Sequence, residues 1–456
     1  MIFFKKEGII LRGKGEFIMN IENNIDLILD ELIKKGSKID YLKELKEKCL
    51  TILKKDIDLD EALSSIATEI KYQTQYFLEE RNVYNTNYIS GISTSIYLPD
   101  FKENGEYKLK LIGGKIHRSK SMKVDKNTLF DVASITKLYT LILLFKLDDL
   151  NLIDMNAKIK DINPDFQNLE DFTLNDLVRL HGELRTKGNI ENATSKEEAY
   201  EILKTLYLVS DSREENKYTD LGAIVISDTI EKVISQKLGK EMTFEEIMDK
   251  YLLHPLNLFQ TQFNPIKNNV SGNGNKRRLV HDSKARILGG SLGHAGLFVS
   301  SEDLCKLARS LYSINYHNKS LIRKIKLDRL GEITFPNSTQ SNKGNLGIYV
   351  KHPLGYEKTF TPPEFSNGSF SHQGWTGSLA TFDPNNLIHQ NILVNAIYAD
   401  EDKEKVKNDK PIGFNEVFCK YQEQITKHTM LMYVAKQYYN RYCNVKEDIK
   451  VTKYLT

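Results

Sequence analysis

The chain has 456 residues, of which 40% are hydrophobic and 27% are charged; these proportions are typical of a globular protein with a sizeable core and exclude a disordered chain. Its 64 Lys and Arg residues nearly balance its 61 Asp and Glu residues, which leaves a formal net charge of +3. Such a balance gives no reason to expect nucleic acid or an anionic membrane as the main partner.

The cysteines and the apolar segments indicate a location. Four cysteines lie far apart, without a C-x-x-C or Cys/His metal spacing: Cys49, Cys305, Cys419 and Cys443. This spacing favours reduced thiols over a disulfide framework. No segment reaches the roughly 18 apolar residues that span a bilayer, and the first residues lack the apolar region and cleavage site of a signal peptide. We therefore expect a cytoplasmic protein without a membrane span.

The N-terminal part of the chain has helical periodicity. From residue 20 to about residue 84, Ile and Leu recur at steps of three and four residues, as in amphipathic helices. We divide the chain into an N-terminal helical extension, residues 1–84, and a main domain, residues 85–456. The periodicity fits either a separate extension or an arm on the main domain. Because GKGEFIMN back-translates to a stretch resembling a ribosome-binding site, we expect translation to begin at Met19.

The main domain opens and closes with strands. Alternating residues around an Asn-Gly predict a β-hairpin that pairs Ile92–Leu98 with Tyr107–Ile112. Several helical segments follow, and then SLATFDP and NILVNAIYA are typical of strands and a long terminal helix ends the domain. This order predicts an α+β fold, in which an antiparallel sheet is built from both ends of the domain and flanked by helices, with a helical subdomain between its strands.

The first candidate functional pair lies in DVASITKLYTLILLF, residues 131–145. Ser134 and Lys137 are three residues apart at the start of an apolar helix, so their side chains share a face. Burial of the amine would lower its pKa and make it a possible base, and the helix N-terminus would favour an oxyanion. Taken alone, the pair favours a serine cap and an exposed lysine over a catalytic role.

Two further elements carry polar groups. Tyr218 precedes an apolar helix in KYTDLGAIVIS, with Asp220 two residues later; a phenol beside a lysine can exchange a proton with a serine, although a packed aromatic and an N-cap would give the same pattern. In SHQGWTGSLATFDP, Gly374 next to Trp375 suggests an edge strand that something approaches closely, and His372 is expected at the start of that strand. A surface bend is the alternative.

Together these elements resemble the serine β-lactamase and penicillin-binding protein superfamily, in particular its class C-like branch of β-lactamases, DD-peptidases and esterases. That family has S-x-x-K, then Y-x-N or Y-S-D, then K-T-G or H-x-G, and the same order appears here from Ser134 to Gly374. Residues 280–304, VHDSKARILGGSLGHAGLFVSSEDL, look like a stretch found in many esterase-type members. The resemblance covers about residues 85–400 and implies a β-lactamase/transpeptidase-like fold.

The resemblance also implies roles. Ser134 would be the acylated nucleophile, Lys137 its proton-tuning partner and Tyr218 the general base. The remaining site residues would bind substrate or complete the oxyanion hole, the latter through the Ser134 and Trp375 amides: Asp220, His372, Gly374 and Trp375.

Two departures from the family pattern bear on the substrate. His372 replaces a lysine and is a poorer anchor for a carboxylate near pH 7. Asp220 replaces an asparagine and cannot donate a hydrogen bond in its ionised form.

The implied function is that of a serine hydrolase acting through a covalent acyl-enzyme on an ester or amide. The candidates are an esterase, a D-aminopeptidase or a DD-peptidase-like enzyme, with weak or no β-lactamase activity. The alternatives are a biosynthetic acyltransferase and a non-catalytic binding protein on the same fold. We expect a small-molecule or short-peptide substrate and no cofactor, and the sequence leaves the oligomeric state open.

Two clusters of charged or titratable residues are interpreted as having no catalytic role. Glu183, Arg185 and Lys187 lie in a loop where relatives often read LLTHTSGL, and we interpret these charges as solvated. His281-Asp282 and His294 lack the spacing of a metal site, so we expect no metal. His294 is expected to shape a turn behind the active site.

Overall fold

The structure is a computed structural model. It describes residues 14–55, 57–83, 89, 91–99, 106–116, 122–210, 217–266, 269–271, 278–312, 344–351, 360–394, 416–443 and 450–455. Met19 lies within a helix, which does not show where translation begins, so the expected translation start at Met19 stays a prediction.

The α-helices are distributed along the whole chain: α1 Lys14–Lys34, α2 Leu42–Leu53, α3 Leu59–Val83, α4 Thr136–Asp149, α5 Ile159–Ile162, α6 Leu174–Val178, α7 Lys196–Lys204, α8 Asp220–Leu238, α9 Phe244–Met248, α10 Ser283–Ile287, α11 Ser301–Tyr312 and α12 Glu416–Tyr442. None of these helices is long and apolar enough to cross a membrane, as far as the described residues go.

The strands come mainly from the two ends of the chain: β1 Gly91–Pro99, β2 Glu106–Gly114, β3 Phe130–Asp131, β4 Glu183–Arg185, β5 Tyr207–Ser210, β6 Phe298–Val299, β7 Tyr349–Val350, β8 Phe370–Gln373, β9 Leu379–Asp383, β10 Ile388–Val394 and β11 Lys450–Leu455. Seven of them form one sheet in the order β11-β2-β1-β10-β9-β8-β7.

This sheet confirms the predicted α+β architecture. The hairpin pairs β1 with β2, and Ile92 lies opposite Gly113. β1 then pairs with β10, so strands from both ends of the domain meet at its centre. All neighbours are antiparallel except β11, which runs parallel to β2. The helices from α4 to α11 form the expected subdomain between β2 and β7.

One segment with a helical pattern of apolar residues is only partly helical. The sequence between residues 195 and 209 has helical periodicity, but α7 ends at Lys204 and β5 follows from Tyr207. The chain leaves the helix because it pairs with β4, where Arg185 lies opposite Tyr207.

Each face of the main sheet has its own apolar core. One core contains α4, α8 and α11 together with sheet residues such as Phe370 and Phe382. The other contains α1, α2, α3 and α12 with residues such as Ile92 and Ile392. The N-terminal helices therefore bury their apolar stripes against the sheet, as amphipathic helices must. The division of the chain at residue 84 stays a prediction.

Helix α4 lies in the first of these cores and is buried almost all round, from Thr136 to Phe145. Burial on every side of a helix is typical of a helix at the centre of a domain. A single turn of 3₁₀-helix, Ala133–Ile135, precedes it. The apolar run thus fixes this helix rigidly, and the 3₁₀ turn that precedes it carries Ser134 to the edge of the core.

Candidate active site

Ser134 and Lys137 meet at the start of α4, as the three-residue spacing predicts. Lys137 Nζ donates a hydrogen bond to Ser134 Oγ at 3.1 Å. It donates two more, to Asp220 Oδ1 at 2.9 Å and to the backbone oxygen of His294 at 3.3 Å. The side chain of Lys137 is 0% exposed. All three donors of the ammonium group are therefore engaged, and the alternative of an exposed lysine is wrong.

The expectation that burial lowers the pKa of Lys137 is also wrong. Burial does act in that direction, but the charges of Tyr218 and Asp220 outweigh it and raise the pKa above its ordinary value. Asp220 shows the corresponding effect. Burial raises the pKa of its carboxyl group, yet the Lys137 ammonium and other neighbouring cations hold that pKa well below its usual range. Both groups are charged at neutral pH.

Tyr218 lies on the solvent side of this pair. Its hydroxyl donates to Ser134 Oγ at 3.2 Å, and its ring centroid is 5.1 Å from Lys137 Nζ. The side chain is 40% exposed, which is unlike a packed core aromatic. Asp220 does not cap α8, because the cap is Thr219, whose hydroxyl accepts from the Leu221 amide.

Gly347 holds the Tyr218 ring in place. A Cβ atom built on Gly347 would lie 2.3 Å from Cε2 of Tyr218, and its φ angle is +82°. No side chain fits between the two at that distance, and φ values of this kind favour glycine. The phenol therefore packs directly against backbone, which limits where its hydroxyl can go.

The third sequence element lies on the main sheet. His372 is buried and belongs to the end of β8, not to the start of β9 as expected. The strand that follows the glycines, β9, is not an edge strand, because it lies between β10 and β8, and β8 itself pairs with β7 at Phe370 and Ser371. The two-residue β7 stops there, so the His372 end of β8 still adjoins the cavity.

The turn after β8 approaches the nucleophile segment closely, as the glycines predict. A Cβ atom on Gly374 would lie 2.2 Å from the backbone oxygen of Val132. The Gly374 amide donates to Ser378 within the turn at 2.8 Å. Trp375 projects from this turn and is 58% exposed at the rim of the cavity.

These residues surround one cavity of about 470 Å³. It is lined by all of the predicted site residues except the fully buried Lys137, and by several others that the sequence did not single out: Glu191, Ser283, Lys284, Gly347 and Tyr349. Glu183, Arg185 and Lys187 do not line it, and Arg185 pairs with Glu183 at 2.6 Å.

Asp131 is a further residue that sequence analysis missed. Its carboxylate accepts from the Ala133 amide at 2.9 Å and from the His281 amide at 2.7 Å. Its backbone oxygen accepts from the Thr376 hydroxyl at 2.7 Å. Burial raises the pKa of Asp131 to about 6 against the lowering effect of the two amide hydrogen bonds. One buried residue thus ties together three segments that line the cavity.

One cluster of possible metal ligands occurs among the described residues. Oxygen or nitrogen atoms of Asp220, Asp282 and His294 lie within 4.8 Å of one another. His294 Nε2 is 2.9 Å from Asp282 Oδ1, and two lysines, Lys137 and Lys284, lie against the oxygens of Asp220. These lysines already supply positive charge there, and the expectation of no metal stays a prediction. His294, buried behind the cavity, supports Lys137 through its backbone oxygen.

Several known proteins are similar to this chain in sequence or in fold. A family model described as Beta-lactamase matches residues 103–411. The N-acetylmuramyl-L-alanine amidase of Bacillus subtilis (strain 168) is 24% identical over 320 residues, which cover 61% of this chain and 70% of the amidase. A putative D-alanyl-D-alanine carboxypeptidase of Escherichia coli (strain K12) is 24% identical over 326 residues, 62% of this chain and 72% of the carboxypeptidase.

One similar solved structure is that of EstCE1, which is described as a hydrolase with promiscuous acyltransferase activity. It matches with a TM-score of 0.57 at 14% sequence identity, and the match covers 82% of this chain and 99% of the EstCE1 chain. This likeness concerns the fold alone. The family match spans well over half of the chain and contains the S-x-x-K serine and the tyrosine that contacts it. The chain therefore belongs to the beta-lactamase family, and it is a serine hydrolase of the β-lactamase and penicillin-binding protein superfamily.

Proposed function

We propose that this serine hydrolase cleaves an ester or amide bond through a covalent acyl-enzyme formed on Ser134. The observation that carries the proposal is the position of Ser134 Oγ, which lies within hydrogen-bond distance of both Lys137 Nζ, at 3.1 Å, and the Tyr218 hydroxyl, at 3.2 Å. A nucleophile in contact with a phenol and a fixed ammonium has a route for its proton and a counter-charge for the transfer.

Tyr218 is the group that moves the proton in this mechanism. Lys137 is held charged by Asp220, so it cannot accept a proton from Ser134. It offsets instead the negative charge on the phenolate form of Tyr218, which takes the Ser134 proton as Oγ bonds to the carbonyl carbon. The same proton passes to the leaving oxygen or nitrogen as its bond to carbon breaks. Water then releases the acyl group by the reverse sequence.

The negative charge that develops on the carbonyl oxygen requires backbone donors. The amides of Ser134 and Trp375 are the two candidates, one at the start of the helix and the other in the turn after β8. The Gly374 amide is already committed to Ser378, which supports Trp375 rather than Gly374 as the second donor. Loss of one such donor typically costs about 3 kcal/mol of transition-state stabilisation.

The lining of the cavity argues against an efficient β-lactamase. His372 occupies the position on β8 where a lysine would anchor a carboxylate, and it is 2% exposed. Asp220 is held ionised and presents only acceptors. Relatives named as an amidase and as a carboxypeptidase support an amide substrate, and a small molecule or a short peptide fits a cavity of about 470 Å³.

A substrate panel tests this proposal. Purified protein is offered an activated ester, a D-amino-acid peptide and a β-lactam, with and without an added amine acceptor. Turnover of the ester or the peptide, absent in Ser134→Ala and well above that of the β-lactam, is expected. No turnover of any of them would contradict the hydrolase mechanism, and product formed only with the amine acceptor would favour an acyltransferase.

We also propose a cytoplasmic location. Two cysteines are buried and two are exposed, and in the part of the chain that the structure describes none of them forms a disulfide: Cys49, Cys305, Cys419 and Cys443. Exposed thiols outside disulfides are typical of reducing compartments. Fractionation of cells that express the tagged full chain tests this location, and recovery outside the cytoplasmic fraction would contradict it.

A further inference from the structure

Lys284 lies in the active-site cavity, although neither the sequence motifs nor the proposed mechanism gives it a role. It is the second residue of α10, and its Nζ lies 3.4 Å from Asp220 Oδ2 and 3.6 Å from Glu191 Oε1. Among the described residues that line the cavity it is the one Lys or Arg side chain. Among the described lining residues, Lys284 is therefore the one that can offer a substrate a strong cationic contact.

Asp220 joins this lysine to the catalytic pair. Its Oδ1 accepts from Lys137, which in turn contacts Ser134, and its Oδ2 faces Lys284. The two lysines thus lie on the two oxygens of one carboxylate. Lys284 Nζ is thus connected to the reacting serine through Asp220 and Lys137, and it lines the same cavity as that serine.

The two lysines differ in how many of their N–H donors remain available for a substrate. Lys137 is fully buried and has three hydrogen-bond partners. Lys284 is 28% exposed, makes one long hydrogen bond to Asp220 at 3.4 Å, and has Glu191 only within ion-pair distance at 3.6 Å. An ammonium group has three donors, so Lys284 keeps donor capacity for a substrate. Burial lowers its pKa, but Asp220, Asp282 and Glu191 raise it overall, so the group is charged.

The carboxylates around Lys284 determine which kind of substrate group its ammonium can bind. Glu191, Asp220 and Asp282 line the same part of the cavity as Lys284, and three carboxylates repel a further carboxylate. A neutral carbonyl oxygen avoids that repulsion and still receives a charge-assisted hydrogen bond. Asp220 cannot supply that bond, because an ionised carboxylate has no donor.

We propose that Lys284 is a substrate-binding residue that donates a hydrogen bond to a second carbonyl oxygen on the acyl side of the scissile bond. The inference rests on the proposed acyl-enzyme mechanism at Ser134. It selects acyl donors such as N-acylated amino acids and peptides over simple fatty acyl esters and over donors with a free α-ammonium group.

Two matched esters test this assignment. The p-nitrophenyl ester of N-acetylalanine, in both enantiomers, carries the second carbonyl, and p-nitrophenyl butyrate lacks it. In Lys284→Met, kcat/KM for the preferred N-acetylalanine ester is expected to fall by about 10- to 100-fold, mainly through KM, as expected for loss of a hydrogen bond from a charged donor. For the butyrate ester the change is expected to stay within about 3-fold.

Conservative and distant variants complete the design. Lys284→Arg keeps a charged donor and is expected to recover most of the lost kcat/KM. Lys187→Met removes an exposed lysine that does not line the cavity and is expected to leave both esters unaffected. Lys284→Ala serves as the second deletion variant should the methionine variant fail to fold, and thermal melts establish that each variant is folded.

Three results would overturn the assignment. An equal loss on both esters would mean that Lys284 acts through Asp220 on the catalytic pair, and no loss on either would mean that it does not bind substrate. A wild-type preference for alanine p-nitroanilide over its N-acetyl form would mean that Glu191 and Asp282 bind an ammonium instead. Failure of the wild type to hydrolyse any ester or amide substrate would refute the proposed function itself, a result distinct from these.

Discussion

Lys137 Nζ and Asp220 Oδ1 form a buried ion pair, 2.9 Å long, that connects the first turn of α4 to the first residue of α8. The pair holds together the starts of the two helices that directly follow the nucleophile and the tyrosine. It also fixes the charge state of the site, since each partner stabilises the ionised form of the other. Lys137 therefore acts as a permanent cation, and the proton transfer is left to Tyr218.

Removal of the lysine should cost stability as well as activity. Lys137→Met leaves Asp220 with only the looser contact to Lys284, and we expect a loss of about 3 kcal/mol in the free energy of unfolding, at the low end for a broken buried ion pair. Urea unfolding measures it. The double variant Lys137→Met/Asp220→Asn removes the stranded charge and should be more stable than the single variant. A double variant less stable than the single one would show that the pair is not coupled as described.

Tyr218→Phe should separate catalysis from folding. The phenol is partly exposed and its hydroxyl contacts Ser134, so its loss should lower kcat by about 10²- to 10⁴-fold, the usual contribution of a general base, with little change in the melting temperature. Tyr349→Phe is the control, because Tyr349 lines the same cavity without a role in the mechanism. Comparable losses of kcat in both variants would remove Tyr218 from the mechanism.

Gly347→Ala should displace the Tyr218 ring, against which the new methyl group would lie at 2.3 Å. Gly368 offers a matched control, since its φ of +80° is nearly that of Gly347 at +82° and no atom lies within 4 Å of its Cβ position. Both variants should lose about 1 kcal/mol of stability from backbone strain, but only Gly347→Ala should lose activity. Equal kcat values in the two variants would contradict the packing of the phenol described above.

Asp131 should give the stability of the protein a characteristic pH dependence. Burial raises its pKa from 3.8 to about 6, so the folded state binds the proton more tightly than the unfolded state. The contribution of this group is therefore present below pH 4 and is lost as the pH rises through 6. The rise from 3.8 to about 6 corresponds to about 3 kcal/mol.

Asp131→Asn isolates this effect, because the amide does not ionise and every other group is unchanged. The difference in unfolding free energy, wild type minus variant, should decrease by about 3 kcal/mol between pH 3 and pH 7. Urea unfolding at a series of pH values measures it. A difference that does not vary with pH would show that the pKa of the Asp131 carboxyl group is not raised in the folded state.

The local elements could be predicted from the sequence because local patterns determine them. Alternation around an Asn-Gly was sufficient for the β1–β2 hairpin, and the apolar run after Ser134 was sufficient for α4. The order of the three motifs was sufficient for the family. Each of these signals lies within a short stretch of residues or in their order along the chain.

The features that were not predicted depend on residues far apart in the sequence. The pKa of Lys137 is raised because Asp220, 83 positions away, lies against it. Lys284 enters the cavity only because α10 lies beside Asp220 and Glu191. The placement of His372 on β8 depends on a turn whose strands pair across the sheet. Periodicity carries no information about such contacts.

The central claim is that Ser134 is the acylated nucleophile, and covalent labelling tests it most directly. Wild type, Ser134→Ala and Ser283→Ala are treated with a fluorophosphonate and analysed by intact and peptide mass spectrometry; Ser283 lines the same cavity but donates its hydroxyl to Glu191 at 2.7 Å. We predict one adduct per chain on the peptide containing Ser134, in wild type and Ser283→Ala alike, and none in folded Ser134→Ala. Labelling that persists in Ser134→Ala, or an adduct on another residue, would contradict the mechanism.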